Sequence, residues 1–483
     1  NPNDPNQYIT EDGPRNFKTR EEIIRIKDKK SITITVKSTQ NGPILSNDLY
    51  GVKEITPDNH LISIKWTGLH KADRTIETFF TLMQADTIEK AKKDLHLFVA
   101  PGQNILLADK KNIFMQSIGF LPNRGREHST QGKFPAVGWE KSNLWSNYLP
   151  FETHPKIENP KLGMLVNTNN RITDAAFPAH ISYDWGDSQR IVRVTDLLTK
   201  RKFHTVESFV EIQTDTISIS ARILLPLLAK ELWYENVSNK DSAFDKLKQD
   251  ALKALLNWNG EMNKNNPEPL LYSSWIKTFQ NILVSDSFTF NESDIDILKP
   301  LFLERVLRNI NGAAVWCDII QTETIETCDD MAKRSLNITL KKLKQEFGSN
   351  FSDWQWGNSH IAIHKSDFLG TIPFLSFFAN IIHSTSGGDN TLLMTRSQKI
   401  KNNPFVATFG SAMRAIFDFS DENKSMFILS TGQSGHILSN HYDDQSILWQ
   451  QQQYIPITTN KKLILLGSVG TVKLIPENFA ELN

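Results

Sequence analysis

The chain has 483 residues, 39% hydrophobic and 22% charged, and its 54 Lys+Arg balance 54 Asp+Glu. Balanced charge gives no argument for nucleic acid or an anionic membrane surface as a general partner, while a chain this long buries a large core. Two cysteines exclude a disulfide framework and a four-cysteine zinc site, and no apolar run is long enough for a membrane span.

Residues 1–30 are polar and punctuated by proline, which reads as a surface connection, and order is expected from Ser31. SITITVKST alternates Ile32, Ile34 and Val36 with threonines, the pattern of a half-buried strand, with PILS and HLISIKW as its sheet neighbours. Asp86 to Glu89 has capping-box spacing and opens a helix whose apolar side is Ile88, Ala91, Leu95, Leu97 and Phe98. NILLAD and NIFMQSIG, joined by Asp109-Lys110-Lys111, predict a hairpin. Helical patterns then cover 205–212, 218–233, 243–258, 294–310 and 324–347. FVATFG, AMRAIFDF, SMFILST and KKLILLG predict strands that complete the sheet begun at Ser31. This divides the chain into a first core part (1–191), an inserted helical lobe (192–350) and a final core part (351–483). Cys317 and Cys328 suit one disulfide in an oxidising compartment or two thiols in a reducing one, and the disulfide is the expectation carried forward.

Several short motifs invite chemistry. Asn167, Asn169 and Asn170 follow the apolar Leu165 and Val166, either as a strand end presenting carboxamide donors or as an Asx turn. GQSGH at 432–436 has His436 where a nucleophile elbow needs glycine and lacks a strand-turn-helix context. His360 and His364 have the spacing of a zinc pair, but no glutamate follows His360, and HIAIH alternates like a strand with structural histidines. HYDDQ offers Asp443 and Asp444 to a cation or to nearby backbone.

Taken in order, NGPILS (41–46), PGQNILLADKKNIFMQSIGFLPNR (101–124), LPFE (149–152), VNTNNR (166–171), WGNSHIAIH (356–364), GGDNT (387–391) and TGQSGHILSNHYDDQ (431–445) form a collinear set. That set resembles the large β subunit of the penicillin amidase family of N-terminal nucleophile hydrolases. The resemblance implies an α+β fold, the αββα four-layer sandwich with an inserted helical lobe, and hydrolysis of an N-acyl amide. It also implies an α subunit from the same precursor as partner, export to the periplasm or beyond, and no membrane span. In the family the asparagine matching Asn169 donates to the oxyanion and the arginine matching Arg190 orients the site.

The family's nucleophile is an N-terminal serine whose α-amine, with a pKa of about 8, serves as its own base. Asn1 has no nucleophilic oxygen, so the expectation is a nucleophile on a segment upstream of this chain. A catalytically inactive relative acting as a binding protein is the alternative. No cofactor is needed for the chemistry. A structural calcium is left open: Pro135 lies where the family uses a proline carbonyl, but the downstream aspartate falls at Ala179 and His180, with Asp174 or Asp184 a local shift away.

Overall fold

Short alternating β-branched runs and longer leucine-rich runs share this chain, and both form as their periodicities dictate. The structure, a computed structural model, describes residues 1–145, 147–173, 177–234, 243–285 and 298–474. It is α+β, as expected, and divides into two units, Asn1–Gly186 and Asp187–Asn483.

In the first unit β1 (Gln7–Thr10) and β2 (Gly13–Asn16) form a hairpin, and β3 (Lys18–Ile24) pairs with β4 (Ile32–Thr39), which continues to β5 (Gly42–Pro43). Residues 1–30 are therefore not a mere connection; the expectation failed because KTREEII is too polar to mark an inward face. Strand β4 is also less buried than its alternation suggests, with Ile32 and Ile34 exposed.

Next come α1 (Val52–Ile55), α2 (Thr75–Gln84) and α3 (Ile88–Lys92). The cap of α3 is Thr87, one residue later than its spacing predicts, because the Thr87 hydroxyl accepts from the Lys90 N–H at 3.3 Å. Ile88, Leu95 and Phe98 pack on Phe114 and Ile118 of the predicted hairpin, β6 (Gln103–Ala108) and β7 (Ile113–Ile118), to which β8 (Lys156–Glu158) adds a third strand.

The second unit opens with α4 (Gln189–Thr199), α5 (Val206–Gln213), α6 (Ile219–Leu228) and α7 (Ala243–Asn257). Then come α8 (Glu268–Val284), α9 (Pro300–Leu307) and α10 (Cys328–Phe347). The first residues of the helix expected over 294–310 lie outside the described residues. Helix α8 was not anticipated. Leu271, Tyr272, Trp275, Phe279 and Leu283 line one buried face at helical spacing, and the less buried Ser274, Lys277, Thr278 and Asn281 recur on the other. Cys317 and Cys328 form the expected disulfide.

After α11 (Trp356–Ser359), β9 (Ile361–His364), α12 (Leu375–Ala379), β10 (Ile381–Ser384), β11 (Thr395–Ile400) and β12 (Asn403–Gly410) follow. The four strands form one sheet in the order β10-β9-β12-β11, and β13 (Met413–Ile416), β14 (Met426–Leu429) and β15 (Ile455–Pro456) form another. Helix α13 (Ser446–Gln450) lays Trp449 on Ile428. Among the described residues these strands pair with one another and do not complete the sheet of β4, contrary to expectation. KKLILLG is also not a strand but helix α14 (Lys461–Gly467), capped by Asn460, a short apolar run that periodicity alone cannot assign. Trp354, Trp356 and Phe405 share one buried cluster with Leu270, Trp275 and Leu340, so the helices and the later sheet hold each other in place.

Candidate functional site

The asparagine cluster is a turn, not the end of a strand, since its one ladder contact is a parallel bridge between Asn170 and Gly186. Asn and Asp side chains compete for backbone partners, and here they succeed. The Asn169 N–H donates to Asn167 Oδ1 at 3.1 Å, and the Thr168 N–H donates to Asn170 Oδ1 at 3.1 Å. Asn169 adopts φ 64°, in the left-handed region that asparagine tolerates better than most residues. Its carbonyl accepts from the Gly186 N–H at 2.7 Å. A Cβ on Gly186 would stand 3.1 Å from that oxygen and 3.4 Å from Asn169 Cβ, so the approach uses the bare glycine.

Backbone bonds thus fix Asn169 on both sides, while its residue surface stays exposed. Asn167, the residue that makes the Asx turn, is half-buried, and its Nδ2 is buried without a hydrogen-bond partner. Of the three asparagines, Asn167 therefore holds the turn and Asn169 is the exposed one. Nothing in the sequence marked Gly186 as the second half of this device, because its partner lies seventeen positions earlier.

Arg190 belongs to the second unit, in the first turn of α4. It is half-buried, and burial lowers its guanidinium from the usual value. The helix that carries it is anchored one turn later. Arg193 Nε meets Asp215 Oδ1 at 3.0 Å and Nη2 meets Oδ2 at 2.6 Å, a bidentate pair with both side chains close to fully buried. Asp215 Oδ1 also accepts from the Ile217 N–H at 3.2 Å. Sequence reading missed this pair, since its members are 22 residues apart with no shared motif.

Pro135 lies exposed in a loop of the first unit. Nearby, Lys133 Nζ stands 5.5 Å over the ring of Tyr183, which packs against His180 at 4.1 Å. Burial, with Arg124 and Arg171, lowers the His180 imidazole from its ordinary value. Positions 179 and 180 supply no carboxylate, and no group of three His, Cys, Asp or Glu forms a metal cluster among the described residues. Asp174 lies outside the described residues.

The later motifs are structural. His360 is fully buried and stacks on Trp356 at 4.3 Å; its Nδ1 donates to the Phe405 carbonyl at 2.9 Å and its Nε2 accepts from the Thr395 hydroxyl at 2.8 Å. Both nitrogens are occupied, as a core histidine requires. The loop 431–445 is closed by the Ser434 N–H donating to His441 O at 2.9 Å, and a Cβ on Gly432 would lie 2.1 Å from that oxygen. Ser434 is in this loop and not on a strand-to-helix turn. No helix among the described residues is long and apolar enough to cross a membrane.

Comparison with known proteins agrees with the motif order. The Penicillin amidase family matches residues 1–465. An acyl-homoserine lactone acylase, QuiP, of Pseudomonas aeruginosa is 25% identical over 93% of this chain and 55% of its own length. Penicillin acylase 2 proenzyme of Pseudomonas sp. strain SE83 is 22% identical over 95% of this chain and 56% of its own. The chain thus spans about half the length of the curated relatives it matches. The structure of a thermostable penicillin G acylase from Alcaligenes faecalis superposes with a TM-score of 0.70, covering 99% of this chain and 85% of that chain at 18% identity, which identifies the N-terminal nucleophile hydrolase fold.

Proposed function

The chain belongs to the penicillin amidase family, and from that premise we propose that it forms part of an enzyme that hydrolyses an N-acyl amide to a carboxylic acid and an amine. The observation that carries this reading is the Asn169 turn: an exposed asparagine whose backbone N–H and carbonyl are both hydrogen-bonded. As the acyl carbon is attacked, its carbonyl oxygen becomes an anion. A donor already held in place stabilises that anion more than the neutral substrate, so it lowers the barrier. Asn169 is assigned that donor role and Arg190 an orienting one.

The nucleophile is assigned to a segment outside this chain. The relatives' greater length, of which this chain spans about half, supports that reading. A serine at a free chain start supplies both nucleophile and base. The α-subunit partner is supported by the relatives' greater length and by α2, which exposes Ile76, Phe79, Phe80 and Met83 at helical spacing. Export is supported by the Cys317–Cys328 disulfide. No step passes through a metal.

The test is to express the whole gene product and follow acid release from a panel of N-acyl amides, including acyl-homoserine lactones and penicillins. Release that depends on Asn169 supports the assignment. A gene product that binds these amides without releasing acid would instead make the protein a binding relative of the acylases.

A further inference from the structure

Arg124, in the loop that follows β7 in the first unit, is half-buried, and its Nε is shielded from water without a hydrogen-bond partner. Its guanidinium lies against Gly132, where a Cβ would stand 2.9 Å from both Cζ and Nη2, so the loop receives it on a bare glycine. The Gln131 side-chain amide holds that loop by donating to the Gly125 carbonyl at 2.6 Å. The groups around Arg124 bring positive charge or none. Lys133 Nζ stands 5.5 Å over the Tyr183 ring, Tyr183 packs on His180 at 4.1 Å, and burial together with Arg124 lowers both the His128 and the His180 imidazoles. No ion pair joins Arg124 to a carboxylate among the described residues, and Glu127 and Asp184, the acids nearest in sequence to Arg124 and Tyr183, are exposed.

A guanidinium keeps its charge in a protein, and burying one costs free energy unless an anion meets it. The bare atom is a donor, so it calls for an acceptor. These residues also mark the place to which the family resemblance would bring calcium. Pro135 follows Lys133 by two positions, and Ala179 and His180 stand where the family's aspartate falls. Calcium is held by carboxylate and carbonyl oxygens, and a guanidinium binds the same oxygens with a charge of its own. A calcium ion beside Arg124 would add like charge where no described carboxylate offsets it. We propose that the Arg124 guanidinium is the resident cation of this cluster in place of calcium, and that it is held by a carboxylate side chain of the gene product beyond this chain. The relatives, about twice as long as the part this chain spans, have room for such a side chain.

The experiment measures the calcium content and the thermal midpoint of the intact gene product, with EGTA and with excess calcium chloride. The expected result is substoichiometric calcium and a midpoint that neither addition moves. Arg124→Met should melt about 5 °C lower or more, because it strands the partner carboxylate. Were the guanidinium unpaired, the same change would relieve a buried charge and leave the midpoint level or higher. Arg124→Ala should also melt lower, but its midpoint should rise when calcium is added, since the freed oxygens can then ligate the ion. One calcium per chain, a parent midpoint that falls with EGTA, an Arg124→Met protein as stable as the parent, or an Arg124→Ala protein indifferent to calcium would each overturn the proposal. If neither variant folds, the calcium content of the parent decides. None of these measurements reads turnover, so their failure leaves the hydrolase reading standing.

Discussion

Gly186 and Asn169 are joined through the backbone: the Gly186 N–H reaches the Asn169 carbonyl at 2.7 Å, and a methyl group on Gly186 would press on that oxygen from 3.1 Å. Displacement by even part of an ångström moves the carboxamide relative to a substrate. Gly186→Ala should therefore lower kcat by roughly tenfold in the assembled enzyme and leave KM within about threefold, since misplacement by 1 Å costs on the order of 10²-fold. Steady-state kinetics at saturating substrate checks this.

Asn169→Ala removes the proposed oxyanion donor and should cost ~3–4 kcal/mol in the transition state, roughly 10²–10³ in kcat, with a much smaller change in KM. Asn167→Ala should act differently. It deletes the acceptor of the Asn169 N–H, so it should cost about 1 kcal/mol of stability, read as a lower urea midpoint. A folded Asn169→Ala enzyme with turnover within about threefold of the parent would remove the oxyanion assignment.

Arg193 and Asp215 form a bidentate pair with side chains only 12% and 11% exposed. Removing one partner strands the other charge. Arg193→Met should cost about 3 kcal/mol by denaturant unfolding, and the double variant with Asp215→Asn should recover part of that loss.

The Cys317–Cys328 disulfide closes a short loop between the segment after α9 and the start of α10. Reduction should destabilise the fold by about 3 kcal/mol in the loop-entropy account. Urea midpoints with and without a reductant give the difference, and the double Cys→Ser variant should match the reduced protein.

Burial pushes the His360 imidazole down to about 4, while an unfolded chain titrates near the ordinary value of 6.5. Between those values the unfolded state binds more protons, so stability rises with pH there. The contribution is complete above about 6.5 and is lost as pH falls toward 4, on the order of 3 kcal/mol in total. Comparing urea midpoints at pH 7 and pH 4.5 should show a steeper acid loss in the parent than in His360→Gln.

Much of this protein can be read from its residues because local rules and final environment agree. The β6–β7 hairpin, the capped helices α5 and α10 and the strand HIAIH follow from periodicity, caps and turn residues acting within a few positions. Family membership was legible for a different reason, the ordered set of motifs along the whole chain. What the residues did not disclose depends on distant partners. KKLILLG is a helix although its apolar run suits either state. Asn167 and Asn169 look alike in sequence. Only the fold, by bringing Gly186 to the Asn169 carbonyl and half-burying Asn167, separates the residue that builds the turn from the exposed one. The Arg193–Asp215 pair has the same origin. Side-chain type and spacing set local conformation, whereas burial and long-range pairing arise when segments remote in the chain exclude water together.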